Sequence, residues 1–254
     1  DNFLMADECA PYKFSLPILV EIIEEVRRDP YARAYIGTKG KSMSVDSNIE
    51  YFRQLPIDDI MNSTFTLAHS KLSQFDHRDG FLFRFKEAVL EPWKNLLSAN
   101  NFTWDRCYPI IFISGVNSAT NYHMDFSHVV AWQTHGHKLF CGLKEPERWA
   151  PKQTRLTNRA GELIRPSELR SDDRLCYDMG EGDVLWNRLL TPHMVETADA
   201  PAMSINFSHG GLRLDGKLSS FEAEVEEYRK FEPENAHRAF VATYESGNSE
   251  VDCL

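Results

Sequence analysis

The chain has 254 residues, 42% hydrophobic and 12% aromatic, enough to bury a sizeable core as one domain or one domain with extensions. Its formal charge of -10, with no dense run of lysine or arginine, excludes phosphate-backbone binding as the main source of affinity, so no nucleic-acid partner is expected. No window approaches the roughly 20 apolar residues of a membrane span, and the start "DNFLMADECAPYK" is acidic where a signal peptide is basic then apolar. These features lead to the expectation of a cytoplasmic protein with no membrane partner. Cys9, Cys107, Cys141, Cys176 and Cys253 are odd in number and contain no close pair, so reduced, mostly buried thiols are expected.

In chain order, "SLPILVEIIEEVRRDP" reads as a helix capped by Ser15, with Pro17 in its first turn and Pro30 as its stop. Ile18, Leu19, Ile22, Ile23 and Val26 form its apolar stripe. Residues 81–97, "FLFRFKEAVLEPWKNLL", read as a second helix that Pro92 kinks. From "RCYPIIFISG" (106–115) onward the segments turn short, β-branched or aromatic, and "VVAWQT", "KLFCGL", "GDVLW", "HMVE" and "AMSINFS" continue a run of strands to about residue 208. Residues 145–182 are too long and polar for a hairpin turn and read as an inserted surface excursion. Beyond residue 216, Ser219 and Glu222 form a capping box before a stripe of Phe221, Val225 and Tyr228. That C-terminal helix is expected either to pack on the sheet or to make a homodimer with another subunit. The expected class is mainly β with flanking helices (α+β): an N-terminal helix-and-strand extension (1–105), a core (106–215) and a C-terminal helical tail (216–254).

Four of the nine histidines fall in "NSATNYHMDFSHVVAWQTHGHKLF" (117–140). His123 and Asp125 are two apart, so on an extended segment an imidazole and a carboxylate leave the same face and converge on one cation. His193, which opens a later strand, completes a two-histidine, one-carboxylate set suited to Fe(II) with open positions. No thiolate or third nearby carboxylate joins them, which disfavours structural zinc and calcium.

The pattern "TNYHMDFSHVVAWQTHGHK", followed by "GDVLWNRLLTPH" and "SINFS", resembles the Jumonji-C and cupin-like branch of Fe(II)- and 2-oxoglutarate-dependent oxygenases, within it the asparaginyl-hydroxylase type, over about residues 106–210. The resemblance implies a double-stranded β-helix (jelly-roll or cupin) core with His123, Asp125 and His193 as iron ligands. It implies that Lys138 pairs with the distal carboxylate of 2-oxoglutarate, that the Thr120 hydroxyl reaches the same group, and that Asn206 approaches the metal-bound end. Dioxygen is then the co-reactant, and succinate and carbon dioxide leave as a substrate C–H bond is hydroxylated. His128, Trp132 and Arg188 lie between or beside these motifs and are expected at the substrate pocket, and His209 near its mouth.

The chain departs from that family's pattern at named positions. Val129 stands where many relatives have asparagine four residues after the aspartate, Arg188 takes a proline place, the aromatic pair before His193 is missing, and residues 66–77 hold no tyrosine. Three readings stay open: a small-molecule oxygenase, which is preferred, a protein side-chain hydroxylase or demethylase, and a metal-binding cupin without turnover.

Overall fold

A computed structural model of the chain describes residues 2–5, 14–36, 48–152 and 168–231. Its elements in order are β1 (Phe3–Leu4), α1 (Leu19–Arg28), β2 (Arg33–Ile36), α2 (Ile49–Gln54), α3 (Ile57–Met61), β3 (Phe65–His69), α4 (Glu91–Ala99), β4 (Phe102–Thr103) and β5 (Arg106–Ser114). There follow β6 (His128–His135), β7 (Lys138–Leu143), α5 (Pro146–Trp149), β8 (Arg174–Met179), β9 (Val184–Asn187), β10 (His193–Glu196), β11 (Ala202–Gly210), β12 (Arg213–Leu214), β13 (Lys217–Leu218) and α6 (Ser220–Phe231).

Seven strands pair in the order β1-β9-β6-β11-β5-β3-β2, and three more in the order β10-β7-β8. Every pairing is antiparallel, as in a jelly roll. Alternation along the central strands sorts side chains between two layers. Ile111, Ile113, Val130, Trp132, Ile205 and Phe207 join the helices in the main core, against Ile22, Ile23, Phe52 and Trp93. The residues between them in sequence, such as Ile110, Phe112, Ala131 and Asn206, face the smaller sheet and line a cavity. Ala131 and Leu185 of the large sheet meet Phe140 and Met179 of the small one, which closes one side of that space. Pro109, unable to donate, sits in β5 beyond the residues that pair with β3, so no hydrogen bond is lost on that side.

Several local expectations change. Ser15 does not cap α1: the helix starts at Leu19, after an extended Ile18 (φ -63°, ψ 148°), and Leu16, the residue before Pro17, is itself biased away from the helical region. Pro92 does not kink one continuous helix. A π-helical turn, Lys86–Leu90, precedes α4 and leaves Pro92 in the first α turn, where its missing N–H matters least. Within 145–182, expected as a surface excursion, Arg174–Met179 forms β8 and pairs with β7 along its whole length; residues 153–167 lie outside the described residues. That register sets Cys141 opposite Cys176, and the two are bonded rather than reduced. Cys107 is a buried free thiol, and Cys9 and Cys253 lie outside the described residues.

The Ser219 hydroxyl accepts the Glu222 N–H (3.2 Å), one half of the expected capping box. The other half is absent because the Glu222 carboxylate turns to accept the Leu212 N–H (3.0 Å). Phe221 and Val225 are buried against Leu189 and Leu190, so this part of the α6 stripe is used within the chain; the Tyr228 side chain lies outside the described residues. Among the described residues, no helix is long and apolar enough to cross a membrane.

Candidate metal centre

His123 lies in the connection between β5 and β6 and forms an isolated antiparallel bridge with His193. Each residue donates its N–H to the other's carbonyl, at 3.0 and 2.9 Å, which sets the two imidazoles side by side, with centroids 4.3 Å apart and planes tilted by 50°. Asp125, two residues on, places Oδ2 3.5 Å from His193 Nε2. One ligand atom from each of the three lies within 4.8 Å of the others.

The second nitrogen of each ring is already committed. His123 Nδ1 lies 2.9 Å from the Asn121 carbonyl and His193 Nδ1 2.9 Å from the Thr191 carbonyl. A carbonyl only accepts, so both Nδ1 atoms carry the proton and both Nε2 lone pairs are free to coordinate. Burial, reinforced by the neighbouring His123, pushes the His193 imidazole down to about 4, despite the opposing pull of Asp125, so it is a neutral donor at physiological pH. Two imidazoles and one carboxylate, with no thiolate among them, fit a divalent iron with positions to spare.

The supports come from distant parts of the chain. The Asp125 carbonyl accepts the N–H of Leu190, a buried residue in the left-handed region (φ 54°). Leu190 is held by Leu189, Phe221, Val225 and Phe126, so α6 buttresses the loop that leads to His193. His193 also stacks on Phe140 of β7 (5.1 Å, 9°).

A cavity of about 420 Å³ opens between the sheets, lined by the triad together with Thr120, Lys138 and Asn206. Lys138 is 4% exposed and donates to the Phe112 carbonyl (2.9 Å) and the Ser204 hydroxyl (3.1 Å). Both partners are neutral, and burial lowers its ammonium from 10.5 to about 7. Its entry into β7 is set by the preceding turn, where Gly136 (φ 61°) lies so close to the Pro201 carbonyl that a Cβ would sit 2.8 Å from that oxygen. The Gln133 amide holds the same turn by donating to the His135 and Gly136 carbonyls, at 2.8 and 3.2 Å. Thr120 accepts the Val195 N–H (2.9 Å), which leaves its own O–H directed to the Val195 carbonyl at a long 3.5 Å. Asn206 Oδ1 is buried and has no hydrogen-bond partner among the described residues.

Three expected pocket residues lie elsewhere. Val129, Ala131 and Gln133 of β6 face the cavity, so alternation turns His128 and Trp132 to the opposite face, where Trp132 joins the main core. His128 lies 3.8 Å from Glu222, but burial, with His209 and Arg188 nearby, drives it down to about 3, so the contact is not an ion pair. Arg188 does not line the cavity; its guanidinium stacks over Phe221 at 4.3 Å. His209 is not at the mouth either. It is fully buried, accepts the Trp93 indole N–H (2.8 Å) and donates Nδ1–H to the Phe207 carbonyl (3.1 Å).

The cavity also uses residues that the sequence reading did not single out: Tyr35 of β2, Thr66 of β3, Asn187 of β9 and Ser204 of β11. Ser204, Asn206 and Ser208 alternate in "SINFS", so the period of two that turns Asn206 to the cavity turns Ser204 the same way. Nothing local marks Tyr35 or Thr66.

No protein-family model matches the chain, and no curated protein does. Solved structures of a ribosomal oxygenase, YcfD of Escherichia coli, do resemble it. One has 14% identity and a TM-score of 0.54, covering 91% of this chain and 52% of that one. A complex of that protein with cobalt and 2-oxoglutarate has 14% identity and a TM-score of 0.53, covering 92% and 54%. A third, with cobalt and succinic acid, has 13% identity and a TM-score of 0.53, covering 92% and 53%. The chain therefore spans about half the length of these solved chains. With the sheet order and the cavity between the sheets, the likeness establishes the fold: the chain is a double-stranded β-helix of antiparallel strands, the fold it shares with these solved structures.

Proposed function

We propose that the protein is an Fe(II)- and 2-oxoglutarate-dependent oxygenase that hydroxylates a side chain of another protein. The observation that carries this reading is the convergence of His123, Asp125 and His193 at the wall of a cavity that also holds a buried lysine with neutral partners. A metal with 2-oxoglutarate supplies the oxidising chemistry: dioxygen delivers one oxygen atom to the substrate carbon and the other to succinate, with loss of carbon dioxide.

The chain's own residues do the positioning. His123, Asp125 and His193 would hold the ion, and Lys138 would receive the distal carboxylate, the natural counter-charge for an ammonium out of water. Thr120 and Asn206 present a hydroxyl and an amide to the same space. Asp125 would supply the one carboxylate of the set.

The preference for a small-molecule substrate is replaced here by the protein reading. The structural neighbours are ribosomal oxygenases, and the Asp125 side chain is one-third exposed, so the centre is reachable by a side chain on a larger partner. An excess of ten negative charges also favours a basic protein surface over an acidic one.

The test is succinate formation from 2-oxoglutarate with Fe(II) and ascorbate, stimulated by a cell extract split by size into macromolecular and small-molecule fractions. Stimulation by the protein fraction alone is expected, lost in His123→Ala and Asp125→Ala together with iron retention. Turnover by those folded variants would refute the assignment of the centre, and stimulation by the small-molecule fraction alone would refute the protein substrate.

A further inference from the structure

Asn187 makes a contact to His193 that conflicts with the proton His193 carries. It ends β9, is 1% exposed and lines the cavity. Trp186 packs against the main core, whereas Leu185 meets the small sheet, so the strand's period of two delivers Asn187 to the cavity side. Its direct partner across the β9–β6 pairing is Val129, on the same wall, whose side chain offers no polar atom. Asn187 Nδ2 lies 3.3 Å from His193 Nδ1, and Oδ1 is buried with no hydrogen-bond partner among the described residues.

His193 Nδ1 gives its proton to the Thr191 carbonyl (2.9 Å), so an Asn187 N–H placed there meets another N–H. The lone pair it needs exists only in the other tautomer, which puts the proton on Nε2, the atom 3.5 Å from Asp125 Oδ2, and leaves no nitrogen for a metal. Half a turn of the amide removes both faults. Oδ1 then accepts a share of the Nδ1–H, and the NH2 takes the place of the orphaned oxygen. The two ends of the amide have the same shape, so hydrogen bonding decides which way it lies. A buried NH2 in turn needs an acceptor.

On the oxygenase reading, on which this inference rests, we propose that Asn187 positions His193 and binds the co-substrate with one amide. Its Oδ1 shares the His193 Nδ1–H with the Thr191 carbonyl, and its NH2 donates to the carboxylate that 2-oxoglutarate presents to the ion. A charged acceptor strengthens the N–H bond and polarises the amide, which makes Oδ1 a better acceptor. Co-substrate binding and the hold on His193 therefore reinforce each other.

The test is made on the intact protein loaded with Zn(II), which is diamagnetic and supports no turnover, with its asparagine amides isotopically labelled. The Asn187 NH2 signals are assigned by proximity to the Val129 methyl groups, so the measurement needs no variant. Addition of 2-oxoglutarate should move one of the two proton signals downfield and slow its exchange with water. Asn187→Asp keeps an oxygen toward His193 but replaces the donor with a second oxygen. It should bind Zn(II) at least as tightly as the unmodified protein and 2-oxoglutarate at least about tenfold more weakly. Asn187→Leu, which removes both ends, should weaken 2-oxoglutarate binding similarly and Zn(II) binding by about tenfold. Asn187 signals that do not respond to bound 2-oxoglutarate, or unchanged 2-oxoglutarate affinity in folded Asn187→Asp, would overturn the proposal. Failure of the unmodified protein to bind Zn(II) or 2-oxoglutarate at all, read by calorimetry, would overturn the oxygenase reading and the inference with it.

Discussion

Raising the pH from 7 to 9 should weaken 2-oxoglutarate binding roughly fifty-fold, and the cause is Lys138. Burial lowers its ammonium from 10.5 to about 7. The group it meets on ligand binding is a carboxylate, which favours the charged amine, so the lysine must hold a proton in the complex. Below pH 7 that proton is already present and affinity is flat. Above pH 7 each unit costs about 1.4 kcal/mol, because binding must first restore the proton, until the complexed lysine itself titrates. Calorimetry on Mn(II)-loaded protein without oxygen, in two buffers of different ionisation enthalpy, reads both the affinity and the proton count. Uptake approaching one proton per ligand is expected at pH 8. Lys138→Met keeps most of the apolar stem and removes the charge. It should bind about one to two orders of magnitude more weakly at pH 7, the equivalent of about 1.5 to 3 kcal/mol for a charge-assisted pair, and should lose the pH slope. Equal affinity at pH 7 and 9 in the unmodified protein, or the same slope in Lys138→Met, would refute the reasoning.

Further expectations concern the surroundings of the centre. Asn206→Ala should lower the ratio of hydroxylated product to succinate, since a misaligned reaction consumes 2-oxoglutarate without reaching the substrate carbon; Val129→Asn, on the same cavity wall, should recover part of that ratio, and an unchanged ratio in Asn206→Ala would remove Asn206 from the site. Phe221→Ala should lower stability by about 3 to 5 kcal/mol in denaturant titration. It should also weaken Mn(II) affinity in the folded protein, because Phe221 braces the Leu189–Leu190 loop whose N–H holds the Asp125 carbonyl; unchanged metal affinity would show that α6 does not position the centre. A maleimide trap applied to intact cells should leave Cys141 and Cys176 unlabelled until a reductant is added, whereas direct labelling would mean that the pair is reduced where the protein works.

The chemistry of this chain is legible in its sequence wherever it depends on short range. His123 and Asp125 share a face because extended backbone has a period of two, and that holds before any partner strand is known. Lys138 and Asn206 were placed by resemblance to a family pattern, at fixed distances from the metal ligands, and both line the cavity. The strand from Arg106 to Ser114 and those from His128 onward announce themselves by β-branched and aromatic runs.

Tertiary structure decided what depends on phase and register. Composition cannot tell whether the even or odd residues of β6 face the cavity, since a shift of one residue exchanges the two faces; the connection after Asp125 puts Val129 inside and sends His128 and Trp132 to the helical side. Cys141 and Cys176 are 35 residues apart and become neighbours only through the pairing of β7 with β8. Tyr35 and Thr66 reach the cavity because β2 and β3 extend the large sheet past β5, through pairings between segments about thirty residues apart (β2 with β3) and more than forty apart (β3 with β5) that carry no local mark. Arg188 turned from the cavity to the Phe221 ring once α6 lay against its loop. Short-range periodicity selects which residues travel together, whereas only the closing of distant strands and the docking of a terminal helix determine where each group arrives.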